Sequence, residues 1–371
     1  MKFQDDERVV MTLDAGGTNF VFGAVQGCKE IIEPIHLPSA AHNLELCLAN
    51  LRNGFHAVRS TLQESSQTPV AISFAFPGPA DYPRGIIGDL GNLPAFRGGV
   101  ALGPMLAKEF GIPVYINNDG DLYAYGEAIA GFLPWVNSQL EKGGSPKRFK
   151  NLVGFTLGTG FGGGVVRDGQ LALGDNSGAT EVWLMSQRYS QCCNIEESIS
   201  IRAVKREYAT LTGIDFDKAP SPKDIYEIGI GAMEGDRKAS LEAFRLMGKA
   251  LGDAMCNILT IVDGLAVIGG GVSGARKLFI PAMLEEMRSS YTNAVGQSYP
   301  RLVQKAFYLD DPTQLEEFIK GDIRQVQIPN SNEKITYDPL SRVGIGFSQI
   351  GTSRAISIGA YAYAINTLDT K

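Results

Sequence analysis

Between Val9 and Val25 the chain reads Val9-Val10-Met11-Thr12-Leu13-Asp14-Ala15-Gly16-Gly17-Thr18-Asn19-Phe20-Val21-Phe22-Gly23-Ala24-Val25, two β-prone apolar runs around a short polar centre. The pattern predicts a hairpin whose turn carries Asp14, Gly16, Gly17, Thr18 and Asn19. Adjacent glycines tolerate positive φ and leave backbone N–H groups uncovered by side chains. Thr18 and Asn19 add side-chain donors, so the tip suits phosphate oxygens. Asp14, at the strand end, is placed to orient a hydrated Mg²⁺ bridging those oxygens. An ordinary hairpin with a Gly-Gly turn would read the same way, and the motif alone does not separate the two.

A chain of 371 residues is long for one hydrophobic core and suits two domains. The net charge of -6 and a pI near 5.3 leave no basic face for nucleic acid. The opening Met1 to Arg8 is too charged for a signal peptide, and no apolar run approaches the ~18 residues of a membrane span. Five cysteines, at 28, 47, 192, 193 and 256, are odd in number and scattered, which reads as reduced thiols. A cytoplasmic protein without membrane contact is the expectation.

Along the chain, Leu44 to Leu62 has helical apolar spacing, and Val70 to Phe76 reads as a buried strand stopped by Pro77-Gly78-Pro79. A long Gly/Pro/Asn-rich loop from Ala80 to Val100 follows, then a helix over 101–110 and a strand, Val114-Tyr115-Ile116. That strand runs into Asn117-Asn118-Asp119-Gly120-Asp121 and a helix. Alternating strands and helices define an α/β domain over 1–130, joined by a closing apolar helix over about 354–371. The polar stretch within Gly131–Lys150 reads as a break, with a second α/β domain over 131–353. Asn151 to Leu157 then repeats the opening in kind: a strand, the Gly-rich turn Gly158-Thr159-Gly160-Phe161-Gly162-Gly163-Gly164, and renewed extended chain. Helices are expected over 199–211 and 240–261, the strand Leu265-Ala266-Val267-Ile268 meets Gly269-Gly270-Gly271, and 297–353 reads as strand and loop.

Gly158 to Gly163 satisfies G-x-G-x-x-G, but a dinucleotide site needs a helix directly after the turn. Val165-Val166-Arg167-Asp168-Gly169-Gln170 is instead a strand and a tight turn, so a second phosphate-holding hairpin fits better. No G-x-x-x-x-G-K-[ST] occurs, which excludes a P-loop.

Six motifs in order over roughly 10–275 make the chain resemble the ROK family of sugar kinases, within the actin-like ATPase superfamily. They are Leu13 to Asn19; Phe76-Pro77-Gly78-Pro79-Ala80-Asp81; Gly91-Asn92-Leu93-Pro94; Ile116-Asn117-Asn118-Asp119 with Gly126-Glu127; Leu157 to Gly164; and Ile268 to Ser273, while Gly178-Ala179-Thr180-Glu181-Val182-Trp183-Leu184 and Cys193-Asn194-Ile195-Glu196 with Ser200 align with two further family segments. The resemblance implies a two-domain actin-like (ribonuclease H-like) α/β fold with ATP in an interdomain cleft, and ATP- and Mg²⁺-dependent phosphorylation of a hexose or amino-hexose. It makes Asp119 the general base, and Asn92, Asn118, Asp119, Glu181 and Glu196 the sugar contacts. Asp14, Gly16, Gly17, Thr18, Asn19, Thr159, Gly160, Gly162, Gly270 and Gly271 become the ATP contacts, with Asp14 on Mg²⁺ through water. The bland alternatives are an Asx turn capping the next helix for Asn118-Asp119, and a surface or helix-terminal carboxylate for each glutamate.

The chain also departs from the family. Leu184 stands where many members have His in a G-E-x-G-H loop, and Trp183 replaces the preceding Gly. The usual structural zinc needs that His and three close cysteines; only Cys192-Cys193 are adjacent, and His36, His42 and His56 lie far upstream, so zinc is not expected. The lost His would have met the anomeric end of the sugar, which puts glucose specificity in doubt. The partners implied are a small sugar and no nucleic acid, with a homodimer left open. A non-catalytic sugar-sensing protein is the rival; the family's repressors carry an N-terminal DNA-binding segment, for which the hairpin at Val9 leaves no room.

Overall fold

The computed structural model describes residues 3–91, 93–189 and 193–370. By contact, the chain separates into two compact units: Met1–Gly131 with Gly164–Ala179 and Gln349–Lys371, and Phe132–Gly163 with Thr180–Ser348.

In the first unit the opening hairpin forms as its pattern predicts. Strands Val9–Ala15 and Asn19–Gln26 pair antiparallel, with Asp14 opposite Val21 and Ala15 opposite Phe20. Pro69–Ala75 lies parallel to the first strand, and Val114–Asn117 parallel to Pro69–Ala75. Parallel neighbours need a crossover, and Leu44–Glu64 supplies one. Asn43 starts that helix by accepting the Leu46 N–H, and Cys47, Leu51, Phe55, Val58 and Leu62 recur at helical spacing to bury one face. Phe55 sits between Phe22 and Phe74, with ring centroids 5.1 and 5.7 Å away.

The other face of this sheet is covered by the closing helix Thr352–Thr370, whose Ile358, Tyr361, Ala364 and Ile365 meet Val10, Val25 and Ala71. The same helix crosses Asp119–Ile129 closely. A Cβ on Gly126 would collide with the Ala355 carbonyl, and one on Gly359 with that of Leu122.

The second sheet runs in the order Phe161–Arg167, Leu152–Leu157, Leu265–Gly269, Arg342–Phe347, Lys305–Tyr308, and the last four are parallel. Hairpin mate, first strand, then parallel strands is also the order of the first sheet, so both sheets follow one plan. Two sequence expectations are corrected here. The stretch expected as a break holds a helix, Phe132–Lys142, because Phe132, Leu133, Val136 and Leu140 form a narrow apolar stripe within a polar run. The region expected as strand and loop holds the helix Pro312–Lys320, started by the Asp311 cap and Pro312 and anchored by buried Phe318. It also carries the ribbon Arg324–Gln327 with Lys334–Tyr337. Among the described residues no helix is long and apolar enough to cross a membrane.

Candidate active site

The tip of the first hairpin is a tight turn in which the Gly16 N–H donates to the Asn19 carbonyl at 3.0 Å. Ser39, buried and remote in sequence, holds it from one side. Its hydroxyl donates to the Gly17 carbonyl at 2.6 Å and its N–H to the Thr18 carbonyl at 2.9 Å. Because each trans peptide points its C=O and N–H in opposite directions, the N–H groups of Thr18 and Asn19 face away from Ser39. Gly16 to Asn19 are exposed and Asp14 is half-buried. The result is a braced turn presenting backbone donors.

Asp14 pairs with Ala75, and Ala75 pairs with Asn117. The ends of these three parallel strands therefore form one row, with Asp14 and Asn117 about 10 Å apart at two strand spacings. Ligands of open α/β sheets gather at that edge. Asn118 and Asp119 follow directly. The Gly120 N–H is 2.8 Å from both Asn118 Oδ1 and Asp119 Oδ1, so Asn118 caps the helix and Asp119 opens its first turn. The cap does not conceal the carboxylate: Asp119 is exposed, while the helix from Gly120 to Ala128 is buried. Asn92 lies outside the described residues.

In the second unit, Thr156 pairs with Gly269, which sets the turns after Leu152–Leu157 and Leu265–Gly269 at one edge. The first is closed by the Gly158 N–H on the Gly160 carbonyl at 3.0 Å. In the second, Gly270 has φ +88°, and a Cβ there would strike the Leu157 carbonyl. Only glycine fits both demands. Between the turns lies a cavity of about 650 Å³, a volume in the range of small-molecule sites. Thr159 and Gly271 line it together with Val204, Lys223, Tyr226 and Phe244. These last four escaped the sequence reading, since they sit on helices with no local motif. Gly160 and Gly162 stay in the hairpin, where the Thr156 hydroxyl is 2.5 Å from where a Gly162 Cβ would be.

The two glutamates differ. Glu181 is exposed, and its Oε2 accepts from the Trp183 indole N–H. Glu196 is engaged: Oε2 accepts the Phe161 N–H at 3.0 Å and Oε1 pairs with Arg202 at 3.0 Å. It thus braces the glycine turn. Leu184 is 58% exposed. Cys192 lies outside the described residues; Cys193 is exposed and free, while burial pushes the thiols of Cys28 and Cys47 up to about 11 and that of Cys256 to about 12. Those three are inert at neutral pH.

Glucokinase of Thermotoga maritima is 26% identical over 292 residues, 74% of this chain and 86% of that one. N-acetyl-D-glucosamine kinase of Vibrio parahaemolyticus is 27% identical over 287 residues, 72% and 85% of the two chains. The crystal structure of glucokinase from Parabacteroides distasonis ATCC 8503 matches with a TM-score of 0.87 at 49% identity, covering 99% of each chain. The ROK family model matches residues 10–311. Matched over that span, with both glycine turns and the Asn118-Asp119 step at the strand ends, the chain belongs to the ROK family and has its actin-like α/β fold.

Proposed function

We propose that the protein is an ATP-dependent kinase of a hexose or amino-hexose, with Asp119 as general base. The observation that carries this reading is the exposed Asp119 carboxylate, held at the start of a buried helix and in the same row of strand ends as Asp14. Similarity to a glucokinase at 49% identity, and to kinases of glucose and of N-acetyl-D-glucosamine, supports it. The carboxylate accepts the proton of the attacking sugar hydroxyl as the oxygen takes the γ-phosphoryl group and ADP leaves. Asn118 spends its side-chain oxygen on the cap, which leaves its NH₂ to a neighbouring hydroxyl. Asn92, Glu181 and the remaining lone pairs of Glu196 hold the rest of the sugar.

The cavity beside Thr159 and Gly271 takes the adenosine, flanked by the Gly160–Gly162 hairpin and Gly270. The N–H groups of Thr18 and Asn19, with Gly16 and Gly17, would hold phosphate oxygens, and Asp14, half-buried at the strand end, would hold Mg²⁺. When bound, Mg²⁺ neutralises charge on the transferring phosphoryl group. No step calls on zinc.

We further propose phosphorylation of a primary hydroxyl with relaxed or altered preference at C1 and C2. Leu184 offers no hydrogen bond there, and its apolar side chain with Trp183 suits a substituent such as N-acetyl. The test is ADP release with glucose, mannose, fructose, N-acetylglucosamine and N-acetylmannosamine. At least one sugar should turn over, glucose should not lead all others by about a thousandfold, and Glu181→Ala should raise the sugar KM. Silence with every sugar despite measurable sugar binding would favour the sensing protein instead.

A further inference from the structure

We propose that Glu286 is a positioning residue for sugar binding, clamping through Arg188 and Tyr189 the loop that joins Glu181 to Glu196. The proposal rests on the sugar-kinase reading, which makes those glutamates sugar contacts.

The base of the loop is closed by backbone. Ser186 bridges to Asn194, and the Ile195 N–H donates to the Met185 carbonyl at 2.9 Å. Gln187 reinforces it, donating to the Asn194 carbonyl at 2.9 Å and accepting the Ser198 hydroxyl at 2.6 Å. Beyond that base two side chains reach a single carboxylate. Arg188 Nη1 is 2.9 Å from Glu286 Oε1, and the Tyr189 hydroxyl donates to Oε2 at 2.5 Å.

The burial is lopsided. The Glu286 side chain is only 7% exposed, whereas that of Arg188 is 47% exposed. The loop thus comes down onto a carboxylate fixed in the helix Arg276–Met287. Removing a partner from a buried charge costs far more than breaking an exposed pair, so Glu286 has reason to hold the loop. Burial, followed by the neighbouring carboxylate, raises the Tyr189 phenol, which keeps it a donor.

A second brace joins the first. The Arg188 guanidinium lies 5.7 Å from the Tyr291 ring centroid, and Arg301 lies 4.9 Å from the same ring. Arg301 is itself bound to Asp253 and Asn257, each at 2.8 Å. The loop is therefore tied to one helix directly, and to the helix Arg237–Val262 through Tyr291 and Arg301. Locking the loop raises the fraction of molecules ready for sugar, and apparent affinity falls in proportion when that fraction drops.

The experiment compares the wild type with Arg188→Ala/Tyr189→Phe and with Arg188→Lys, by hydrogen exchange of the 185–196 amides and by steady-state kinetics. Both substituted residues are exposed, so the fold is retained, and an unchanged far-ultraviolet circular dichroism spectrum checks it, while the melting temperature of the double variant falls because the buried Glu286 carboxylate loses its partners. Faster exchange in the double variant is expected, with a sugar KM raised about tenfold and an ATP KM within about twofold of wild type. Arg188→Lys, which keeps the ion pair and the Tyr189 hydrogen bond, should stay close to the wild type in both measurements. Unchanged exchange in the double variant overturns the clamp, whatever the activity. Faster exchange with an unchanged sugar KM overturns the positioning role. If the wild type phosphorylates no sugar, the kinase reading fails and exchange alone decides the clamp.

Discussion

Ser39 holds two carbonyls of the first glycine turn, yet nothing in Pro38-Ser39-Ala40 marks it in the sequence. It reaches the turn because Ile35–Pro38 pairs with Asn19–Gln26, a contact set by sheet register and not by local pattern. Ser39→Ala removes one hydrogen bond and costs about 1 kcal/mol of stability. The KM for ATP should rise, with the sugar KM little changed; an unaltered ATP KM would contradict the phosphate role of this turn. Asp14 to Asn19 and Asn118-Asp119 were legible because each follows a strand within a few residues. Tyr226, Phe244 and Lys223 were not, since a cavity wall built from separate helices leaves no mark in any one window. Glu196 was legible as a carboxylate but not as a brace of the Phe161 N–H, which depends on a contact across 35 residues.

Elements with strong periodicity were the most readable. Leu44–Glu64 was visible from its stripe of Leu51, Phe55, Val58 and Leu62. Phe132–Lys142 and Pro312–Lys320 are short, and their charged flanks masked the apolar face. The crossing of Asp119–Ile129 with Thr352–Thr370 was invisible, because no local pattern marks Gly126 or Gly359 as the point where two helices meet. In the structure they let two backbones touch. Gly359→Val would drive its side chain into the Leu122 carbonyl, with an expected loss of about 2–3 kcal/mol. As the displaced helix carries Asp119, kcat should fall more than KM rises. Wild-type kcat with wild-type melting temperature would show that the crossing does not fix the base.

At the scale of the molecule, the duplicated sheet plan was readable from two strand–glycine-turn–strand segments, while the ion pairs beneath it were not. Arg342 begins a central strand with its side chain fully buried, 2.7 Å from Asp338, itself only 4% exposed. Burial alone would raise the Asp338 carboxyl. The Arg342 guanidinium and the N–H groups of Asp322 and Leu340 outweigh it and hold the group below its ordinary 3.8. The unfolded chain therefore takes up this proton first as pH falls. The contribution is complete above the ordinary value and is lost progressively below about pH 4, by at most ~1.4 kcal/mol per pH unit. Urea melts should show that loss, and Asp338→Asn should flatten this part of the profile. An equally steep profile in the variant would remove Asp338 from the acid response.

The proposed base, Asp119, is the residue whose loss should slow phosphoryl transfer most directly. Single-turnover transfer from ATP to the best sugar of the panel, at saturating concentrations, compares Asp119→Asn with the wild type. Asparagine keeps an oxygen for the Gly120 N–H, so folding and ATP binding should persist. The rate is expected to fall by ~10²–10⁴-fold; a folded variant transferring phosphate at close to the wild-type rate would contradict the assignment.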